Sequence, residues 1–416
     1  MHQKITLPNG ARILTEEMPG VRSAALGFFA GAGSRHEDPA DNGCAHFVEH
    51  MLFKGTHRRS ATELARDMDA IGGQFNAYTT KEHTCFHGRT LDTHLDQSLD
   101  ILSDMLFHSK FAQEDIETER GVILEEISMY EDVPDDLVSE RLSAAVYKGT
   151  PLARPVLGTQ ATLSAVTGES LSAWQKAHYR PGDLVVSLAG SFTQGQVDHL
   201  IDCLSQLEPG PANKTQPAAY RPAVTARTKA IEQNHLILAY QGLSYLDKRR
   251  PQLLLLNSML GGGCSSRLFQ EVREKRGLCY SVYSYASDSE DTGFLGIYTG
   301  TNKEQEDQAL ETIRNVIEDF AEHGPTEDEL HRTKEQAKAS LLMGNESVQA
   351  RMSRLGTGTL LFNRVRETEE LLELYENVTR EELRALAQEI FRPETASLSA
   401  VGRVKTTDEY THWLGR

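Results

Sequence analysis

No apolar run in this sequence approaches the roughly 20 residues that a membrane-spanning helix needs, so a helical membrane anchor is not expected. Cysteine is scarce: Cys44, Cys85, Cys203, Cys264 and Cys279 stand scattered, odd in number and without a C-x-x-C pair. That pattern argues against a disulfide framework and against a thiolate zinc site. Positive charge is in the minority, 43 Lys and Arg against 60 Asp and Glu, a net −17. Such a chain repels phosphate backbones and anionic lipid, so nucleic acid and membrane are set aside as partners. The opening stretch MHQKITLPNGARILTEEMPG lacks the basic and apolar regions of a signal peptide. Together these shortages point to a soluble, unexported chain in a reducing, cytoplasmic compartment.

What the sequence does contain is itself, twice. Residues 166–190 align without gaps to 378–402 at a constant offset of 212, about half of the 416 residues. Each copy reads as a helix capped by Thr167 or Thr379, an R-P break, and a short apolar strand closed by Gly190 or Gly402. Residues 207–223, rich in Pro and Ala and without periodicity, read as a linker. The expected organisation is therefore a first half 1–206, the linker 207–223, and a homologous half 224–416. Alternating apolar runs such as SAALGFFAGAG and NHLILAYQGLS interleave with amphipathic helical stretches. The expected class is α+β, helices packed on a largely antiparallel sheet in each half.

The two halves differ where chemistry is expected. The first carries GCAHFVEHMLFKGT, with His46, Glu49 and His50 in the order H-x-x-E-H; the second has no histidines in the comparable region. Asp41 and Asn42 supply an expected N-cap and Gly55 a stop, so residues 43–54 read as a helix. On it His46 and His50 lie about 40 degrees apart, and Glu49 about 60 degrees to the other side of His46. Two imidazoles so placed either grip one metal ion or merely satisfy each other's neighbours. The metal reading needs a third donor and leaves Glu49 free to act on a ligand of the ion. A helix over 114–132 offers one. With Ile116, Ile123, Ile127 and Tyr130 defining its buried stripe, Glu119 and Glu126 share one edge about 20 degrees apart, whereas Glu125 points away. Glu126 is the favoured third ligand and Glu119 its supporting partner, orienting a histidine through the free ring nitrogen.

With these residues in view, HFVEHMLFKGT, followed 76 positions after His50 by the last Glu of ERGVILEEI, Glu126, resembles the inverted zinc signature of the pitrilysin or insulinase metallopeptidases, which include mitochondrial processing peptidase. The likeness extends through GGQFNAYTTKEHTCF, GGGCSSRLFQEVREKRGLCYSVYSY and the repeat, and is nearest to short bacterial members similar to the processing peptidase β subunit. It implies one zinc per chain on His46, His50 and Glu126, Glu49 as general base, two halves enclosing a chamber, and a homodimer. It also implies that Arg273 holds a substrate carbonyl and that Tyr280 stabilises the tetrahedral oxyanion.

The expected reaction is hydrolysis of short or unfolded peptides by water activated at the zinc and deprotonated by Glu49, without a covalent intermediate. Residues 74–86 alternate after a Gly72-Gly73 stop; as an edge strand they would accept a peptide through Asn76 and Ala77 backbone groups, a placement the resemblance favours over an ordinary strand. LGGGCSSR lacks the G-K-[ST] ending of a phosphate loop and reads as a loop opening a helix. Two other classes stand beside this one: a non-enzymatic assembly subunit, whose relatives tend to have degraded ligand sets, and a metal-dependent lyase on a small molecule, which would not call for a second half.

Overall fold

The structure, a computed structural model, describes residues 2–416. One sheet contains β1 (Gln3–Thr6), β2 (Arg12–Glu17), β3 (Ser23–Ala30), β4 (Gln74–Thr79), β5 (Thr84–Leu91) and β6 (Leu184–Gly190), in the order β1-β2-β6-β3-β5-β4. The other contains β7 (Val224–Thr228), β8 (Gln233–Gln241), β9 (Cys279–Asp288), β10 (Gly293–Asn302) and β11 (Ser397–Gly402), in the order β7-β11-β8-β10-β9. Leaving β1 aside, the two orders correspond strand for strand. In each sheet the pairing is antiparallel except for one parallel pair, β2 with β6 and β7 with β11. The α+β class and the duplication are thus visible in the topology itself.

The packing units are not the two halves of the sequence. Unit 1 comprises residues up to 127, 154–216 and 342–366; unit 2 comprises 128–153, 217–341 and 367–416. A linear division at 1–206, 207–223 and 224–416 misses an exchange of helices. Helix α5 (Pro134–Val146), from the first half of the sequence, packs on β7, β8 and β11 in unit 2. The helix Val348–Phe362, from the second half, packs on β2, β3 and β6, the corresponding strands of unit 1. The repeat supplies a matching clasp for each. Ser187 in β6 donates its hydroxyl to the carbonyl of Met352 at 2.9 Å, and Ser399 in β11, at the repeat offset, donates to that of Val138 at 2.8 Å. Residues 208–223 contain neither helix nor strand.

The exchange also accounts for strands that do not behave as half-exposed. Along β3 every residue from Ala24 to Ala30 is buried. Ala24, Leu26, Phe28 and Ala30 share a core with residues of helices α1 (Cys44–Leu52) and α3 (Leu95–His108), whereas Ala25 and Phe29 share one with Val348, Met352 and Leu355. A strand covered on both faces buries both of its alternating sets. The approach of the exchanged helix is close: a Cβ on Gly356 would stand 2.1 Å from the Phe29 ring, and one on Gly27 2.3 Å from the Met352 sulfur.

Candidate metal centre

The helix that carries the histidines begins differently from the sequence expectation. Asp41 ends a short 3-10 turn, and the residue before α1 is Gly43, at φ +102, where a Cβ would also press on Gly158 at 3.0 Å. Only glycine takes that conformation without strain. The acceptor at the helix start is Glu37, which is 1% exposed. Its Oε2 takes the Gly43 N–H at 2.9 Å and the Asn42 side-chain amide at 2.8 Å, and its Oε1 takes the Ala45 N–H at 2.7 Å. Burial pushes this carboxyl up to about 7 against the pull of those donors. A carboxylate reaching in from six residues upstream leaves no cap signature in the sequence, which is why Asp41 and Asn42 looked like the cap.

One turn of α1 brings the imidazoles of His46 and His50 together, with ring centroids 4.6 Å apart and the planes tilted by 59°. Helix α4 (Gln113–Asp132) brings Glu126 to them: its Oε2 lies 3.7 Å from Nε2 of His46 and 3.7 Å from Nε2 of His50. Ligand atoms of these three residues all fall within 4.8 Å of one another, the one such group of His, Cys, Asp and Glu among the described residues. Helix α4 buries Ile116, Glu119 and Ile123 and exposes Glu125, as its wheel requires. Tyr130 departs from that stripe and is 41% exposed, beyond the point at Ile127 where unit 1 ends. Glu119 sits behind His50, its Oε2 3.0 Å from Nδ1. His46 has no such support; its Nδ1 is buried without a partner.

The electrostatics suit a cation. Burial, and then the neighbouring His50, push His46 down to about 3, so its ring is neutral, the form that binds metal. Burial raises the Glu126 carboxyl, with His50 pulling it back. Two imidazoles and one carboxylate are a donor set that catalytic zinc sites use, and a dication offsets the cost of a partly buried carboxylate. Glu49, on the same helix, stands outside the trio. Its Oε2 accepts the hydroxyl of Thr79 in β4, and burial raises its pKa despite that bond and the attraction of His50. Thr79 went unnoticed in the sequence because its reach depends on α1 packing against β4.

The remaining candidates lie on two edge strands and on the helical turn before one of them. Residues 74–86 form not one strand but the pair β4 and β5 with a turn at 80–83, and β4 is the outermost strand of its sheet. Asn76 and Ala77 lie on it, and the Ala77 N–H is held by the Asn76 side-chain oxygen at 2.9 Å. In unit 2, Arg273 lies on a π-helical turn, Phe269–Glu274, with its guanidinium 4.7 Å from the Phe269 ring and 5.2 Å from the Tyr280 ring. Tyr280 is 74% exposed on β9, the edge strand that corresponds to β4. The glycine-rich stretch ends one helix at Gly261 and opens the next at Arg267, without a phosphate-loop geometry.

The insulinase domain of peptidase family M16 matches residues 12–160, and the domain described as the peptidase M16 inactive domain matches residues 165–337. The chain is 42% identical over 397 residues to an uncharacterized zinc protease, YmxG, of Bacillus subtilis, which covers 95% of this chain and 97% of that one. It is also 42% identical over 415 residues to an uncharacterized zinc protease of Streptomyces coelicolor, covering 97% and 90% respectively. In fold it is similar to a peptidase M16 inactive domain from Pseudomonas fluorescens, with a TM-score of 0.90, 23% identity, and coverage of 98% of this chain and 99% of that one. Two matched domains, relatives alike over nearly their whole length and the shared fold together establish that the chain belongs to the insulinase family of peptidases, M16.

Proposed function

We propose that the chain is a zinc-dependent endopeptidase acting on short or unfolded peptides, with His46, His50 and Glu126 as ligands to one zinc per chain. The observation that carries the proposal is the convergence of both Nε2 atoms on Glu126 Oε2 at 3.7 Å, with Glu49 beside them but bonded elsewhere. A bound zinc supplies a Lewis acid and a water of lowered pKa. Glu49 takes the proton of the attacking water and passes it to the leaving amine, and the raised pKa of its carboxyl suits a group that must both accept and release. Thr79 fixes which oxygen of Glu49 remains available.

A peptide is bound as an added strand beside β4, an open sheet edge, with the backbone at Asn76 and Ala77 as partners once the Asn76 side chain yields the Ala77 N–H. Arg273 and Tyr280 are proposed as further substrate contacts on the family resemblance; the guanidinium over the Tyr280 ring and the exposure of Tyr280 are compatible with that role. A homodimer is proposed on the same ground. The intact donor set speaks against the alternative of a non-enzymatic assembly subunit. No helix among the described residues is long and apolar enough to cross a membrane. The proposal is tested by metal analysis of the purified protein together with a quenched-fluorescent peptide library. Zinc near one equivalent and cleavage that stops on chelation are expected; protein that binds no zinc and cleaves no peptide overturns it.

A further inference from the structure

The support behind the two imidazoles is unequal, and one residue outside the ligand set accounts for it. Helix α1 ends at Leu52, and the chain turns through Phe53, Lys54 and Gly55; the Lys54 N–H bonds back to the Met51 carbonyl at 3.0 Å. Gly55, at φ +116, bridges to Ser60, and its carbonyl accepts the Lys110 N–H at 3.3 Å, so the backbone under Lys54 is pinned on both sides. From there the ammonium reaches Glu119 Oε1 at 2.6 Å, while the other oxygen, Oε2, meets His50 Nδ1 at 3.0 Å. The Glu119 side chain is 4% exposed. A buried carboxylate with two oxygens and two partners has its rotamer set by both, and removing either frees it to turn.

We infer that Lys54 is a positioning residue of the metal centre. By holding one oxygen of Glu119 it presents the other to His50 Nδ1, and so fixes the ring with Nε2 turned towards Glu126. His46 has no outer partner, so the orientation of the ligand pair depends on the single line from Lys54 through Glu119 to His50. The inference rests on the reading of the site as a zinc centre. It assigns to Lys54 no contact with substrate or metal, only control over a ligand's direction.

The test measures zinc affinity of the full-length protein by competition with a chromophoric chelator, and the d–d spectrum of the cobalt-substituted form. Lys54→Met is expected to weaken zinc about 10- to 100-fold, in the range found when a metal ligand's outer partner is lost, and to change the cobalt spectrum. Lys54→Arg, which keeps a charged donor, is expected to restore most of the affinity. In a Glu119→Gln background the same Lys54→Met change should have little further effect, because Lys54 acts through Glu119. Should Lys54→Met fail to fold, Lys54→Gln, which keeps a neutral donor, takes its place, with a several-fold loss expected. Unchanged affinity in Lys54→Met, or an equal loss with and without Glu119, overturns the inference while leaving the zinc reading intact. Wild-type protein that binds no zinc overturns both.

Discussion

Glu49 and Glu126 are both weakened as acids by burial, yet their oxygens touch different groups. Glu126 faces two ring nitrogens; Glu49 faces a hydroxyl. Replacing Glu49 with Gln is expected to lower peptide hydrolysis by about 10²- to 10⁴-fold and to leave zinc content unchanged, as measured by turnover and metal analysis on one sample. Glu126→Gln should strip zinc whereas exposed Glu125→Gln should not; equal loss in both would remove Glu126 from the ligand set. A third prediction concerns pH. Burial holds His36 and His83 down at about 4, well below the ordinary histidine value near 6.5. A depressed histidine contributes stability that is present above the unfolded value and lost as pH falls through the folded one. Urea midpoints should therefore fall between about pH 6.5 and 4, and His83→Gln should flatten that slope by up to about 1.4 kcal/mol per pH unit, discounted because the side chain is partly solvated. Glu37, raised to about 7, works in the opposite direction across the same window and softens the net effect.

At the scale of elements, the close seat of Val348–Phe362 on its sheet makes a sharp test. Gly356→Ala would place a methyl group against the Phe29 ring. Overpacking of this kind costs about 1–3 kcal/mol, readable as a lower melting temperature, whereas Gly344→Ala, whose Cβ meets nothing, should be tolerated. The same contrast shows which features a sequence discloses. The spacing of His46, Glu49 and His50, and the shared edge of Glu119 and Glu126, follow from helical periodicity within single elements, and both were legible. The repeat disclosed its capped helices and closing strands at Thr167, Thr379, β6 and β11 for the same reason. Glu37 was not legible, because a cap supplied from outside the helix obeys no local spacing. Nor was the sheet to which α5 or Val348–Phe362 belongs, since an apolar stripe says that a helix is covered and not by what. Tyr130 failed as a core residue because helical periodicity continues past Ile127, where the helix passes from one packing unit to the other.

At the scale of the whole molecule, the helix exchange decides what a fragment can do. Residues 1–217 contain every proposed zinc ligand but lack Val348–Phe362, so Leu14, Phe29 and Val185 would lose their cover, while α5 would lack its sheet. Neither 1–217 nor 218–416 is expected to melt cooperatively alone, and co-expression of the two should restore a single cooperative transition, followed by calorimetry. A cooperative melt of 1–217 by itself would show that the exchange is dispensable.

The exchange also fixes an order of events in time. Unit 1 opens before unit 2 along the chain, yet its last helix is encoded after nearly all of the strands of unit 2. At about 5–20 residues per second, the roughly 150 residues between Gln216 and Arg366 take about 8–30 seconds to make. Throughout that interval one face of the sheet next to the histidine helix waits uncovered. The donor trio is translated before the helix that covers its sheet, so for that interval a nascent chain carries His46, His50 and Glu126 without their finished scaffold.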